Sequence, residues 1–113
     1  MHELAITKSI IDLVDGEARK QGFKRALEIR LSLGQYSGIV PGYIEDFFPL
    51  VAEGTAAFGA KLIFETLPAK FLCRDCGYEG AADRKNACCA KCGSSNLKMT
   101  AGREFFVDSL KVE

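Results

Sequence analysis

The stretch CRDCGYEGAADRKNACCAKCG, residues 73–93, governs how the whole chain is read. It holds two Cys-x-x-Cys pairs, Cys73–Cys76 and Cys89–Cys92, each followed by glycine, with twelve residues between Cys76 and Cys89. Zn(II) prefers four tetrahedral ligands, and two short loops presenting two sulfurs each supply that set. Gly77 and Gly93 permit the positive φ that lets each loop curl back over a metal. Backbone amides then point at the sulfurs and disperse their charge. Four thiolates leave no open position for water, so a zinc ion bound by Cys73, Cys76, Cys89 and Cys92 is structural rather than catalytic.

Cys88 introduces an ambiguity, because Cys88 and Cys92 also bracket a metal-sized gap. Cys89 is the preferred ligand, since it restores the CxxCG repeat that Cys88 breaks. The alternatives are a pair of disulfides or unligated buried thiols. All five cysteines fall within the 20-residue window from Cys73 to Cys92. The opening MHELAITKSI lacks the charged-then-apolar pattern of a signal peptide, and no apolar run approaches the ~20 residues that cross a bilayer. Those features predict a cytoplasmic, reducing setting in which thiolates bind metal, and exclude a secreted or membrane protein.

Between Lys70 and Lys98, six basic residues stand against three acidic ones, a surplus of +3 in a chain whose net charge is zero. Four thiolates with one Zn(II) add −2, which leaves that window near +1 and removes most of its basic patch. Phe71 and Tyr78 are large enough to stack on bases, but two aromatics beside the knuckles also serve as the module's minimal core. A zinc-ribbon module for nucleic acid or protein is therefore the alternative reading, and a histone-like one is excluded. Nor is an enzyme supported. A nucleophilic Cys88 finds no second histidine, phosphate-cradling loop or interior acid–base pair to work with.

Outward from the cysteines the chain is ordinary α+β material. Ile6, Ile10, Ile11, Leu13, Val14 and Ala18 recur at spacings of three and four, predicting a helix over Leu4–Ala18 that Gly22 stops. Leu27, Ile29, Leu31 and Leu33 alternate with Glu28, Arg30 and Ser32, predicting a strand with one wet face. Pro41 opens a second helix on Ile44, Phe47, Phe48 and Val51, which Pro49 should kink or split. Lys61–Leu67 and Glu104–Val112 read as further strands. The connection from Leu27 to Leu67 is long enough for a parallel crossover. The expected architecture is a small mixed sheet packed on two helices, with a zinc-ribbon-like module inserted. Residues 1–68, completed by 100–113, form the main domain and 69–99 the insertion.

His2 is the only histidine in the chain. Methionine before a bulky histidine should be retained, which places the Met1 amine one residue from an imidazole. The amine and the His2 amide close a five-membered chelate ring, the His2 amide and Nδ1 close a six-membered one, and the Glu3 amide adds a fourth nitrogen. Four nitrogens in or near a plane suit Ni(II) or Cu(II) far better than Zn(II). The bland reading is a frayed start, with Glu3 favouring the positive end of the first helix.

MHE at the start, a long amphipathic helix, a strand ending in LGQYSG (33–38), a helix ending in AEGT (52–55) and the double CxxCG together resemble the HypA family of hydrogenase maturation nickel chaperones. The resemblance covers nearly the whole chain. It implies that Met1, His2 and Glu3 form a nickel site and that Cys73, Cys76, Cys89 and Cys92 hold structural zinc. It also implies delivery of nickel to the [NiFe]-hydrogenase large subunit in concert with a HypB-type GTPase, and in some bacteria to urease maturation proteins. Family members with a second histidine near the zinc module can use it on nickel; this sequence has none.

Overall fold

The computed structural model describes residues 2–83 and 85–113. In chain order it contains α1 (Glu3–Gln21), β1 (Ala26–Gly34), α2 (Pro41–Ala52), β2 (Lys61–Leu67), β3 (Lys70–Cys73), β4 (Glu79–Gly80), β5 (Ala82–Asp83), β6 (Cys88–Cys89), β7 (Leu97–Ala101) and β8 (Phe105–Val112). The mixed α+β class expected from the sequence is the one observed. The chain divides into two compact units. One takes the residues up to Ser32 with Gly38–Glu65 and Phe106–Glu113; the other takes Leu33–Ser37 with Thr66–Phe105.

In the first unit α1 packs on α2. The buried row of α1 is Glu3, Thr7, Ile10, Ile11 and Val14, while Leu13, expected on the apolar stripe, is 45% exposed. Thr7 takes a buried place because its Oγ1 donates to the Glu3 carbonyl at 2.6 Å, which removes the cost of burying a hydroxyl. Gly22, at φ 78°, ends the helix, and its N–H donates to the Ala18 carbonyl.

Helix α2 buries Ile44, Phe48 and Ala52 and runs unbroken through Pro49, so of the kink or split expected there the split does not occur. Proline removes the bond to the carbonyl four residues earlier, that of Glu45. Both Glu45 and Pro49 are exposed, so water can take the freed carbonyl, and the helix ends three residues later in any case.

The three-stranded sheet has the order β2-β1-β8. Lys24 N–H donates to the Glu113 carbonyl and Glu113 N–H to the Arg25 carbonyl, while Gly34 N–H donates to the Glu104 carbonyl, so β1 and β8 are antiparallel. Gln35 N–H, just past β1, donates to the carbonyl of Leu67, the last residue of β2. Those two strands therefore end side by side, in parallel, as a crossover through α2 requires. Ile29 and Leu31 are buried from β1, and on its opposite face Arg30 is exposed but Ser32 is buried. Asp15 Oδ1 accepts the Ala56 N–H at 2.8 Å, tying the turn after α2 to α1.

The second unit contains a sheet of order β4-β3-β7, antiparallel throughout, with Phe71 opposite Gly80 and Met99, and Leu72 opposite Glu79 and Lys98. A two-stranded ribbon, β5-β6, sets Ala82 opposite Cys89 and Asp83 opposite Cys88. Between those strands Asp83 Oδ1 accepts the N–H groups of Lys85 and Asn86, which shapes the connecting turn.

Candidate metal centres

Each cysteine pair sits on a turn that the local sequence dictates. Gly77 N–H donates to the Cys73 carbonyl and Gly93 N–H to the Cys89 carbonyl, both at 2.9 Å. The glycines lie at φ 79° and 78°, the left-handed region in which a side chain is strained. Strand β3 delivers Cys73 and strand β6 delivers Cys89, both buried, whereas Cys76 and Cys92 lie on the exposed limbs of the turns.

The four sulfurs all lie within 4.8 Å of one another. Cys73 Sγ is 3.6 Å from Cys92 Sγ, and Cys76 Sγ is 3.7 Å from Cys89 Sγ. A tetrahedral ion with metal–sulfur bonds of about 2.3 Å separates its sulfurs by about 3.8 Å, whereas a disulfide brings them to about 2 Å. All five cysteines are free thiols, so the disulfide alternative fails, and Cys88 lies outside the cluster. The donor set fits structural zinc, and four sulfurs complete its preferred coordination.

Electrostatics within the cluster also favour a bound cation. The amide groups of Cys92 and Lys91 hold the Cys89 thiol down at about 6, and those of Cys76 and Asp75 lower the Cys73 thiol. Cys92 is pushed up to about 12: the Ser94 amide favours its thiolate, but the surrounding sulfurs of Cys73, Cys76 and Cys89 outweigh that bond. Sulfurs this close repel one another when ionised, and a divalent cation is what lets all four carry charge.

The amino-terminal set is less completely described. Met1, proposed from the sequence as a nickel ligand, lies outside the described residues. His2 is exposed and immediately precedes α1, and its carbonyl accepts the Ile6 N–H at 2.9 Å. Glu3 opens α1 and is 4% exposed. Its carboxylate Oε2 accepts the N–H of Val40, the residue before α2, at 3.1 Å. That tie joins the starts of the two helices and was invisible in the sequence, because the partners are 37 residues apart and neither is unusual on its own.

A small α+β protein whose two glycine-ended turns close a four-sulfur cage is, by class, a metal-binding protein with a zinc-ribbon-like module. The family model described as "Hydrogenase/urease nickel incorporation, metallochaperone, hypA" matches residues 1–112. A hydrogenase maturation factor HypA of Aquifex aeolicus is 36% identical over 113 residues, covering 100% of this chain and 98% of that protein. One from Dehalococcoides mccartyi is 34% identical over 113 residues, covering 100% of this chain and 95% of its own. Among solved structures, a solution structure of a HypA protein matches with a TM-score of 0.75 at 25% identity, covering 100% of this chain and 97% of its own. The Ni metallochaperone HypA from Helicobacter pylori shares the fold at a TM-score of 0.72 and 24% identity, covering 99% and 97%. The chain belongs to the HypA family of nickel-incorporation metallochaperones.

Proposed function

We propose that this protein carries Ni(II) on Met1, His2 and Glu3 and releases it during maturation of a [NiFe]-hydrogenase, while Cys73, Cys76, Cys89 and Cys92 hold a structural zinc. The observation that carries the reading is the closed sulfur cage. Four sulfurs complete the preferred coordination of zinc, so a transient ion needs a separate site. The only histidine lies exposed just ahead of α1, in the tripeptide whose nitrogens suit nickel. In this reading the nickel domain is residues 1–68 with 100–113, and the inserted zinc domain is residues 69–99.

The protein is a carrier rather than a catalyst. A carrier must discriminate yet release, and ligands at a chain terminus can be replaced one at a time by a partner's own donors. The imidazole of His2 and the amide nitrogens supply the field that selects nickel, and the amine must give up its proton to bind, so nickel affinity falls as pH falls. The partners are a HypB-type GTPase and the hydrogenase large subunit, with urease maturation proteins as a second route, and the setting is the cytoplasm.

Calorimetric titration of the zinc-loaded protein with Ni(II) tests this. A chain with a free Met1 amine should bind one nickel tightly. His2→Ala, or any residues left ahead of Met1, should abolish tight binding while zinc content and helicity stay unchanged. Equal nickel affinity in either altered chain overturns the assignment.

A further inference from the structure

The short sulfur–sulfur distances, Cys73–Cys92 and Cys76–Cys89, both run between the two knuckles rather than within one. The cage therefore depends on how one knuckle is registered against the other, and the sulfurs themselves cannot fix that before a metal arrives. Asp75, the third residue of the first knuckle, spans the gap. Ser94 Oγ donates to Asp75 Oδ2, and Asn96 Nδ2 donates to Asp75 Oδ1 at 3.3 Å. Ser94 Oγ in turn accepts the Asn96 N–H at 3.0 Å. The same short segment is bound to both knuckles through the backbone: Arg74 N–H donates to the Asn96 carbonyl at 3.0 Å, and Cys89 N–H to the Ser94 carbonyl at 2.7 Å.

We propose that Asp75 is a positioning residue whose carboxylate latches the Cys89–Cys92 knuckle to the Cys73–Cys76 knuckle through Ser94 and Asn96, holding the two sulfur pairs at metal spacing. Each bond is modest alone, since Asp75 and Asn96 are exposed. Both carboxylate oxygens are nonetheless engaged across the gap, so removing one side chain releases both ties together. Losing zinc requires one knuckle to swing away from the other, and the latch slows that step. The backbone bonds of Arg74 and Cys89 do not involve the Asp75 side chain and survive its removal, so the variant keeps a scaffold on which the effect can be read. The proposal rests on the reading of the four cysteines as zinc ligands.

The test is the rate at which the full-length, zinc-loaded protein surrenders its metal to excess 4-(2-pyridylazo)resorcinol, a chromogenic chelator. Groups that orient metal ligands typically change metal affinity by about 10- to 100-fold, so Asp75→Ala should release zinc about tenfold faster or more. Ser94→Ala should also be fast, Ser94→Thr should keep the original rate by restoring the hydroxyl, and the Asp75→Ala/Ser94→Ala double variant should be no faster than Asp75→Ala. With Co(II) in place of zinc, the thiolate charge-transfer bands should persist in every variant, showing that the ligands are unchanged. An unaltered release rate for Asp75→Ala, or single effects that multiply in the double variant, overturns the latch. Should Asp75→Ala fail to fold, equal rates for Ser94→Ala and Ser94→Thr overturn it instead. An unaltered protein that binds no zinc contradicts the zinc reading itself, which is a different failure.

Discussion

Cys88 and Cys89 are neighbours of identical chemistry, yet only Cys89 enters the sulfur cluster. Successive residues of a strand point to opposite faces, so once β6 pairs with β5, one of the two thiols faces the knuckles and the other turns away. Cys88→Ser should therefore keep one zinc per chain by metal analysis, and Cys89→Ser should lose it; the reverse result would reassign the ligand. This choice was legible in the sequence, because the CxxCG repeat marks Cys89 without any knowledge of the strand. Glu104 was not legible. Its carboxylate is held below the usual carboxylate range by its own amide and by that of Gly102, whose N–H lies 2.6 Å from Oε1. A lowered folded value means stability that is present above the ordinary carboxylate pKa and lost as pH falls through the folded one. Glu104→Gln should accordingly melt lower than the unaltered protein at pH 7, by a gap that is constant down to about pH 5 and closes below about pH 4. A gap that persists undiminished at pH 3 would show that the carboxylate's charge is irrelevant.

At the scale of elements, the second unit is closed by an approach of backbone on backbone. A Cβ added to Gly34, at the end of β1, would lie 2.2 Å from the carbonyl carbon and oxygen of Gly102. Backbone cannot swing aside as a long side chain can, so Gly34→Ala should cost about 3 kcal/mol in urea unfolding, at the upper end of what overpacking produces. A cost under about 0.5 kcal/mol would mean that the two chains part easily. The strong periodic signals coincide with elements: the leucine–isoleucine alternation lies on β1, and the spacing of three and four lies on α1. Strands β3 and β7 went unread although Leu97, Met99 and Ala101 alternate with exposed Lys98 and Thr100. Five residues with a half-buried face carry too little apolar contrast to stand out beside a cysteine motif. Leu13 misled for a related reason, since a wide stripe of aliphatic residues does not say which edge meets the neighbouring helix. The cross-ties of Glu3 to Val40 and of Asp15 to Ala56 belong to tertiary placement and leave no local trace.

Across the molecule, the two units differ in what holds them. The first buries Ile10, Ile11, Val14, Ile29, Leu31, Ile44 and Phe48, a core of aliphatic and aromatic side chains. Among the described residues, the second buries only Leu33, Ala69, Cys73 and Cys89 of its hydrophobic residues, and two of those are sulfur ligands in our reading. So small a core needs a metal staple. Chelating the zinc should strip hydrogen-exchange protection from β3 and β7 while α1 and α2 keep theirs; simultaneous loss in both units would mean that the first core does not stand alone. Two ions divide the labour, one carried and one structural, and X-ray absorption at the nickel and zinc edges of one doubly loaded sample distinguishes them. Nitrogen and oxygen scatterers without sulfur are expected around nickel, and four sulfurs at about 2.3 Å around zinc. Sulfur in the nickel shell, or nitrogen replacing sulfur in the zinc shell, would contradict that division.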